Sequence, residues 1–131
     1  MIVREVVHAH VPVLSEHSSV REAIDKMDIY QFPGLVILDD DQRPIGVVTE
    51  GDIARAVCLR GSLMTLAHED AMAVGTRDPR TESADIEVSD ALHTMLMSGL
   101  TVLPIVDEGV FVGMVLRVDL MHAMLLDTPG Y

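Results

Sequence analysis

The pattern of apolar and polar positions predicts short helices that alternate with short strands. Apolar residues recur at helical spacing after Ser19-Val-Arg-Glu22, a sequence typical of a capped helix start. The unbroken apolar run 35–38 is typical of a buried strand, and the polar stretch 39–43 is typical of a turn. The predicted elements are an extended segment near residues 11–14, a helix from Val20 to about Tyr30, strands over 35–38 and 44–49, and a helix from about Glu50 to Leu59.

The same order of elements returns in the second half of the chain. When the sequence is aligned with itself at an offset of 68 positions, the identical pairs include Val20 and Val88, Ala23 and Ala91, Met27 and Met95, Leu35 and Leu103, Ile37 and Ile105, Asp39 and Asp107. After a turn the shift becomes 67, and identical residues are Gly46 and Gly113, Val48 and Val115, Asp52 and Asp119, Ala56 and Ala123. The second copy predicts a helix near 88–98, strands over 102–106 and 110–116, and a helix over 118–126. The chain therefore contains two copies of one β-α-β-β-α unit.

The repeats define the predicted fold and domain boundaries. We predict an α/β (α+β) fold in which the two copies pack sheet to sheet, because neither copy has enough apolar surface to be stable alone. The boundaries are repeat 1 over 1–60, a linker over 61–75 with a short helix around Leu66–Val74, repeat 2 over 76–126 and a tail over 127–131.

Composition narrows the possible partners and compartments. The net charge of −12, from 9 basic and 21 acidic residues, argues against nucleic acid and anionic membrane surfaces as partners. The N-terminal sequence has no signal-peptide pattern and no stretch is long enough to span a membrane, so we expect a cytoplasmic protein. The single cysteine, Cys58, has apolar neighbours and is predicted to be a small buried side chain.

The clearest candidate for ligand chemistry is the segment 46–53, GVVTEGDI, where a strand runs into a helix. Free N–H groups at a helix start attract phosphate, the Thr49 hydroxyl can donate to a phosphate oxygen, and the Asp52 carboxylate can accept from two ribose hydroxyls. The same T-x-x-D spacing also fits a reciprocal helix cap, and the sequence leaves both interpretations open. In the second copy, GMVLRVDL, Leu116 replaces the threonine but Asp119 remains.

Catalytic and metal sites have little support in the sequence. No nucleophile elbow, triad order or phosphate-cradling loop with its lysine is present, so we do not expect an enzyme. His8 and His10 alternate along an extended segment, but no third ligand completes a set, and no metal site is expected. Asp39-Asp40-Asp41 is interpreted as a solvated turn.

Two motifs inside the doubled unit carry a family resemblance. The strand LPIVD (103–107) and the pattern G-h-h-T-x-x-D from Gly46 to Asp52 resemble tandem CBS (cystathionine-β-synthase type) domains, over roughly residues 5–126. The resemblance implies a pseudo-twofold module that forms homodimers and has no catalytic activity. It further implies clefts that bind AMP, ADP, ATP or S-adenosylmethionine and regulate an attached or partner protein, with no cofactor required. Because the sequence shows no attached effector domain, we expect regulation in trans.

The resemblance also implies which residues would form two composite sites. In the main site Asp52 would bind ribose, Thr49 and Arg80 phosphate, and Val47 the base. The remaining wall would come from the second repeat, namely the strand around Asp78–Thr81 with Asp78 itself, and Leu100, Thr101 and Val102. The second site would contain Asp119 and Met114 from the second repeat, and Pro12, Phe32 and Pro33 from the first.

The second site departs from the family pattern at Leu116, and the first-repeat strand lacks the proline that the second copy has as Pro104. We therefore expect one good site and one weakened or silent site.

Because of the negative charge, a triphosphate is expected to bind with Mg²⁺. Arg80 could instead pair with Glu82 or Asp78. The alternative function is a dimerising structural module whose clefts hold no ligand.

Overall fold

The computed structural model describes residues 1–127, which form two compact units. The central unit comprises Pro12–Pro79, and the terminal unit comprises Met1–Val11 together with the chain from Arg80 onward. These units differ from the predicted repeat boundaries at both ends, because residues 1–11 lie in the terminal unit and residues 61–79 lie in the central unit. Residues 128–131 of the predicted tail lie outside the described residues.

The central unit contains a sheet of four strands. Its elements are β1 (Leu14–Ser15), α1 (Val20–Tyr30), β2 (Gly34–Leu38), β3 (Pro44–Thr49), α2 (Glu50–Arg60), α3 (Leu63–Leu66), a 3₁₀ turn (Ala71–Ala73) and β4 (Thr76–Arg77). The strand order is β1-β2-β3-β4, with β1 parallel to β2 and the other pairs antiparallel. The predicted helices and strands of the first repeat are thereby confirmed.

The linker helix predicted around Leu66–Val74 is wrong in its position. The helix in this region, α3, covers Leu63–Leu66, and only a 3₁₀ turn follows at Ala71–Ala73. The earlier start has a local cause, because the Ser62 hydroxyl accepts a hydrogen bond from the Thr65 N–H at 3.3 Å and caps α3.

The core of the central unit follows the predicted apolar pattern. The Ser19 hydroxyl accepts from the Glu22 N–H at 3.1 Å and starts α1, which buries Val20 and Ala23. These side chains pack in one cluster with the buried strand residues, among them Leu35 and Ile37. Burial of both faces of β2 explains its unbroken apolar run, since all five of its residues are buried.

The terminal unit contains a sheet of three strands and two longer helices. Its elements after Arg80 are β5 (Glu82–Ser83), α4 (Val88–Ser98), β6 (Leu103–Asp107), β7 (Val110–Val115) and α5 (Arg117–Leu126). The order is β5-β6-β7, with β5 parallel to β6 and β6 antiparallel to β7. These elements match the predicted second copy.

The strand predicted around Asp78–Thr81 is wrong. Strand β4 ends at Arg77 and β5 begins at Glu82, so the predicted strand is a connection between them. Asp78 has a positive φ of 49°, which breaks the extended backbone, and Pro79 has no N–H to donate to a neighbouring strand.

Residues 1–11 are held to the terminal unit by packing and by backbone hydrogen bonds. Val3, in a 3₁₀ turn over Val3–Glu5, is fully buried in the apolar core of this unit. The Val3 N–H donates to the Ile86 carbonyl at 2.9 Å, and the Arg4 N–H donates to the Ala84 carbonyl at 2.8 Å. The N-terminal segment is therefore part of the terminal unit.

The predicted burial of Cys58 is also wrong, because its side chain is exposed. Helix α2 buries Ile53 and partly buries Ala56 and Val57, which lie three and four positions further along the same face. Cys58 follows this stripe by one residue, and the 100° turn per residue carries it towards solvent.

Candidate functional site

The junction between β3 and α2 carries a reciprocal helix cap. The Thr49 hydroxyl accepts from the Asp52 N–H at 3.1 Å, and the Thr49 N–H donates to Asp52 Oδ2 at 2.9 Å. Of the two interpretations that the sequence left open, the cap is therefore present. It also fixes the Asp52 carboxylate at the start of α2, with 15% of the side chain exposed.

Asp52 has a second partner on its own helix. Arg55 Nη2 donates to Asp52 Oδ1 at 2.8 Å, and the Arg55 side chain is 71% exposed. Within residues 1–127, each carboxylate oxygen of Asp52 thus accepts one hydrogen bond. Because a carboxylate oxygen has two lone-pair positions, each oxygen keeps one position for a further donor.

The junction between β7 and α5 has only half of this cap. The Leu116 N–H donates to Asp119 Oδ2 at 2.9 Å, as Thr49 does to Asp52, but a leucine side chain cannot accept in return. The same oxygen is 2.9 Å from His8 Nε2, which must donate because a carboxylate only accepts. Asp119 is 21% exposed and His8 is 41% exposed.

His8 is held beside Asp119 by the backbone. Its N–H donates to the Met114 carbonyl at 3.0 Å and its carbonyl accepts from the Met114 N–H at 3.1 Å. The sequence analysis considered His8 only as a metal ligand and missed this contact. The repeat could have indicated it, because His8 precedes Thr76 by 68 positions and Thr76 pairs with Val47, the counterpart of Met114.

The other predicted residues of the central unit differ in accessibility. Val47 is buried and pairs with Val36 and Thr76, whereas Asp78 is exposed and its N–H donates to the Ile45 carbonyl at 3.1 Å. The predicted residues Pro12, Phe32 and Pro33 are half-buried. Within the central unit the structure brings Thr49 and Asp52 into direct contact.

Arg80, a predicted site residue of the terminal unit, forms a surface ion pair. Arg80 Nη2 lies 3.6 Å from Glu82 Oε1, the contact expected from the surface ion-pair interpretation of this arginine. The remaining predicted residues are Leu100, half-buried, Thr101, exposed, and Val102 and Met114, both buried. The Leu100 carbonyl accepts from Arg117 Nε at 2.9 Å, which ties the end of α4 to the start of α5.

Comparison with known proteins identifies this arrangement. The family model described as CBS domain matches residues 3–59 and 71–126. The chain belongs to the CBS domain family. The predicted family is thereby confirmed, and each Asp of the G-h-h-x-x-x-D pattern, Asp52 and Asp119, lies in its own CBS repeat.

Relatives share the CBS pair but differ in length. An uncharacterized 17.7 kDa protein of Acidianus ambivalens is 32% identical over 124 residues, which cover 94% of this chain and 73% of the relative. The uncharacterized protein RP505 of Rickettsia prowazekii is 29% identical over 111 residues, covering 85% of this chain. This chain spans only 33% of that relative's length.

Solved structures show the same fold. CBSX2 in complex with AMP matches with a TM-score of 0.81 and 22% identity, over 96% of this chain and 97% of that one. The CBS domain pair of MJ0100, in complex with 5′-methylthioadenosine and S-adenosylmethionine, matches with a TM-score of 0.80 and 22% identity, over 98% of both. The mixed α+β fold predicted from the repeats is confirmed as that of a tandem CBS pair.

The first CBS repeat also has an open groove between α1 and α2, with a volume of about 510 Å³. Ile24 and Met27 line one side, and Ile53 and Val57 line the other. Phe32 and Pro33 border the groove, but neither Thr49 nor Asp52 does. Among residues 1–127, no helix of this CBS pair is both long and apolar enough to cross a membrane.

Proposed function

We propose that this CBS pair is a non-catalytic regulatory module that binds an adenosine-containing ligand and passes its binding state to a partner protein in trans. The ligand class is AMP, ADP, ATP or S-adenosylmethionine. The proposal is supported by the AMP complex of CBSX2 and by the methylthioadenosine and S-adenosylmethionine complex of MJ0100, whose ligands all contain adenosine. Regulation requires that the ligand bind two arrangements of the module with different affinity.

The observation that carries the proposal is the hydrogen bonding of Asp52. Both of its oxygens keep one acceptor position, and the two hydroxyls of a ribose can each donate to one oxygen. The exposed Arg55 is a solvated partner on the same helix, so its ion pair contributes little that a ligand would have to replace. Asp52 is therefore proposed as the ribose-binding acid of the main site.

Phosphate would lie on the threonine side of this site. The Thr49 oxygen already accepts from the Asp52 N–H, so its own O–H remains able to donate to a phosphate oxygen. Arg80 is proposed to exchange Glu82 for that phosphate, and Val47, Asp78, Leu100, Thr101 and Val102 are proposed to complete the site. With a net charge of −12, the chain is expected to bind ATP more tightly with Mg²⁺ than without it, and the charge favours AMP or the sulfonium of S-adenosylmethionine.

Isothermal titration of the full chain with AMP, ADP, ATP with and without Mg²⁺, and S-adenosylmethionine tests the proposal. Asp52→Asn keeps an oxygen that can accept from the Thr49 N–H, so the cap and the melting temperature should change little. The lost charge should weaken ligand binding about tenfold or more. Asp119→Asn is the matched control in the second repeat and should keep the main-site affinity.

Two results would contradict this assignment of Asp52. The first is a large fall in the melting temperature of unliganded Asp52→Asn with unchanged ligand affinity, which would make Asp52 a cap residue alone. The second is the absence of binding for every ligand of the panel. A real ligand at 100 times its Kd should stabilise the chain by about 2.7 kcal/mol, which a thermal-shift assay detects readily.

The second candidate function is a dimerising structural or interaction module without a ligand. It is favoured by exposed apolar side chains on α4 and α5, namely Leu96, Met97, Val118, Met121, Leu125 and Leu126. Exposed apolar side chains in such number are typical of protein interaction surfaces. A dimer in analytical ultracentrifugation that Met97→Glu disrupts, together with no ligand binding, would support this function over the first.

A further inference from the structure

We infer that His8 keeps the second CBS repeat from binding ribose through Asp119. The inference rests on the proposed function and concerns which of the two repeats takes the ligand. It follows from three observations within the terminal unit: the hydrogen bonds of Asp119, the backbone pairing that holds His8, and the residue that replaces His8 in the first repeat.

The hydrogen bonds of Asp119 are distributed differently from those of Asp52. In Asp119 both donors, the Leu116 N–H and His8 Nε2–H, reach the same oxygen, Oδ2, at 2.9 Å each. The two lone-pair positions of Oδ2 are thereby filled. A ribose that donates one hydroxyl to each carboxylate oxygen would therefore find only Oδ1 able to accept. Asp119 can bind both hydroxyls in the manner proposed for Asp52 only after the His8 ring has moved.

The backbone of His8 is held firmly in this position. Besides its two hydrogen bonds with Met114, it is approached closely by Gly113, since a Cβ built on Gly113 would lie 2.4 Å from the His8 carbonyl oxygen. Only a residue without a side chain allows this approach. Release of Asp119 therefore requires rotation of the His8 side chain, while the backbone stays paired.

The central unit has a different residue at the corresponding place. Thr76 pairs with Val47 as His8 pairs with Met114, and the sequence repeat aligns Thr76 with His8. A threonine side chain is much shorter than an imidazole, and Asp52 instead accepts from Arg55 at its other oxygen. The residue at this register position thus distinguishes the two aspartates. With His8 beside it, Asp119 has one carboxylate oxygen whose acceptor positions are filled, whereas Asp52, with Thr76 at that position, keeps an acceptor position on each oxygen.

The inference predicts a change in stoichiometry. The wild-type chain should bind one AMP, at Asp52. His8→Thr, which gives the terminal unit the residue that the central unit has at this position, should raise the affinity of the Asp119 site by about tenfold or more, so that two AMP bind per chain. His8→Gln is the matched control, because its amide can still donate to Asp119 and should keep the site closed.

The experiment is isothermal titration calorimetry with AMP and, separately, with S-adenosylmethionine. The proteins are the full wild-type chain, the single variants His8→Thr and His8→Gln, and the double variant that combines His8→Thr with Asp119→Ala. Circular dichroism and melting temperature confirm folding of each variant. Support requires that the second binding event appear in His8→Thr and vanish in the double variant. One AMP per chain in both the wild type and His8→Thr would overturn the inference and leave the proposed function standing. Absence of binding by every variant would overturn both.

Discussion

Arg4 binds Asp107 through two parallel hydrogen bonds, with Nη1 and Nη2 each 2.9 Å from one carboxylate oxygen. The same guanidinium reaches Asp85 Oδ1 at 3.0 Å. This fork joins the N-terminal segment to the end of β6, across 103 positions of sequence. The ion pair and the burial of Val3 in the core of the same unit both hold the N-terminal segment in place.

Loss of this contact should make the protein less stable in a pH-dependent way. The Arg4 guanidinium, first by hydrogen bonding and then by its charge, holds the pKa of Asp107 below its ordinary value. A lowered pKa contributes stability above the ordinary value of about 3.9 that is lost as the pH falls through the folded value. We therefore expect Arg4→Gln to lower the melting temperature at pH 7 and to lose this difference in strong acid.

The control for this comparison is Arg21→Gln. Arg21 is an exposed arginine whose ion-pair distance to Asp25 is 4.0 Å, so its removal should change the melting temperature less than Arg4→Gln does. Equal melting temperatures of wild type and Arg4→Gln at pH 7 would refute a stabilising role for the fork.

Gly113 should tolerate a side chain much less well than its counterpart in the first repeat. Gly113 has a φ of 156°, and a new Cβ would meet the His8 backbone at 2.4 Å. At Gly46 the Cβ would meet the end of the Met72 side chain at 2.7 Å, which can move aside. Gly113→Ala should cost about 1–3 kcal/mol and Gly46→Ala less, as measured by urea unfolding. The reverse order would refute this view of the two contacts.

His17 should titrate above its ordinary range. The pKa of His17 is raised first by the hydrogen bond that its Nδ1–H donates to Asp70 Oδ2 at 2.9 Å, then by the charge of Asp70, and finally by that of Glu16. A raised pKa contributes stability that is fully present below the ordinary value of about 6.5 and is lost as the pH rises through the folded value. NMR titration should show a lower His17 pKa in Asp70→Asn and a smaller decrease in Glu16→Gln. An unchanged titration in Asp70→Asn would refute the pairing.

Cys58 should react in the native protein. Because its side chain is exposed on α2, a thiol reagent should modify one group per chain without denaturant. Cys58→Ser should abolish the reaction and barely change the melting temperature, since no buried contact is lost. Reaction only in denaturant would restore the interpretation of Cys58 as a buried residue.

The local elements could be predicted because their signals are local. Helix α1 follows the capping residue Ser19, and α2 follows the capping residue Thr49, a cap that the T-x-x-D spacing indicated. The continuous apolar run of β2 has no helical periodicity and therefore predicts a buried strand. The strand predicted at Asp78 and Pro79 is absent because the positive φ of Asp78 and the missing N–H of Pro79 separate β4 from β5.

The amino-acid sequence by itself determined that the unit is doubled, that the chain resembles the CBS family and that Asp52 and Asp119 are equivalent residues. Repetition and the spacing of apolar residues can be recognised without knowledge of the tertiary structure. The tertiary structure decided which unit the N-terminal segment joins, since Val3 buries its side chain against residues that are distant in sequence. It also decided the partner of Asp119, because the pairing of His8 with Met114 closes more than 100 positions of chain. No local pattern encodes such contacts, which depend on where folding brings two distant segments together.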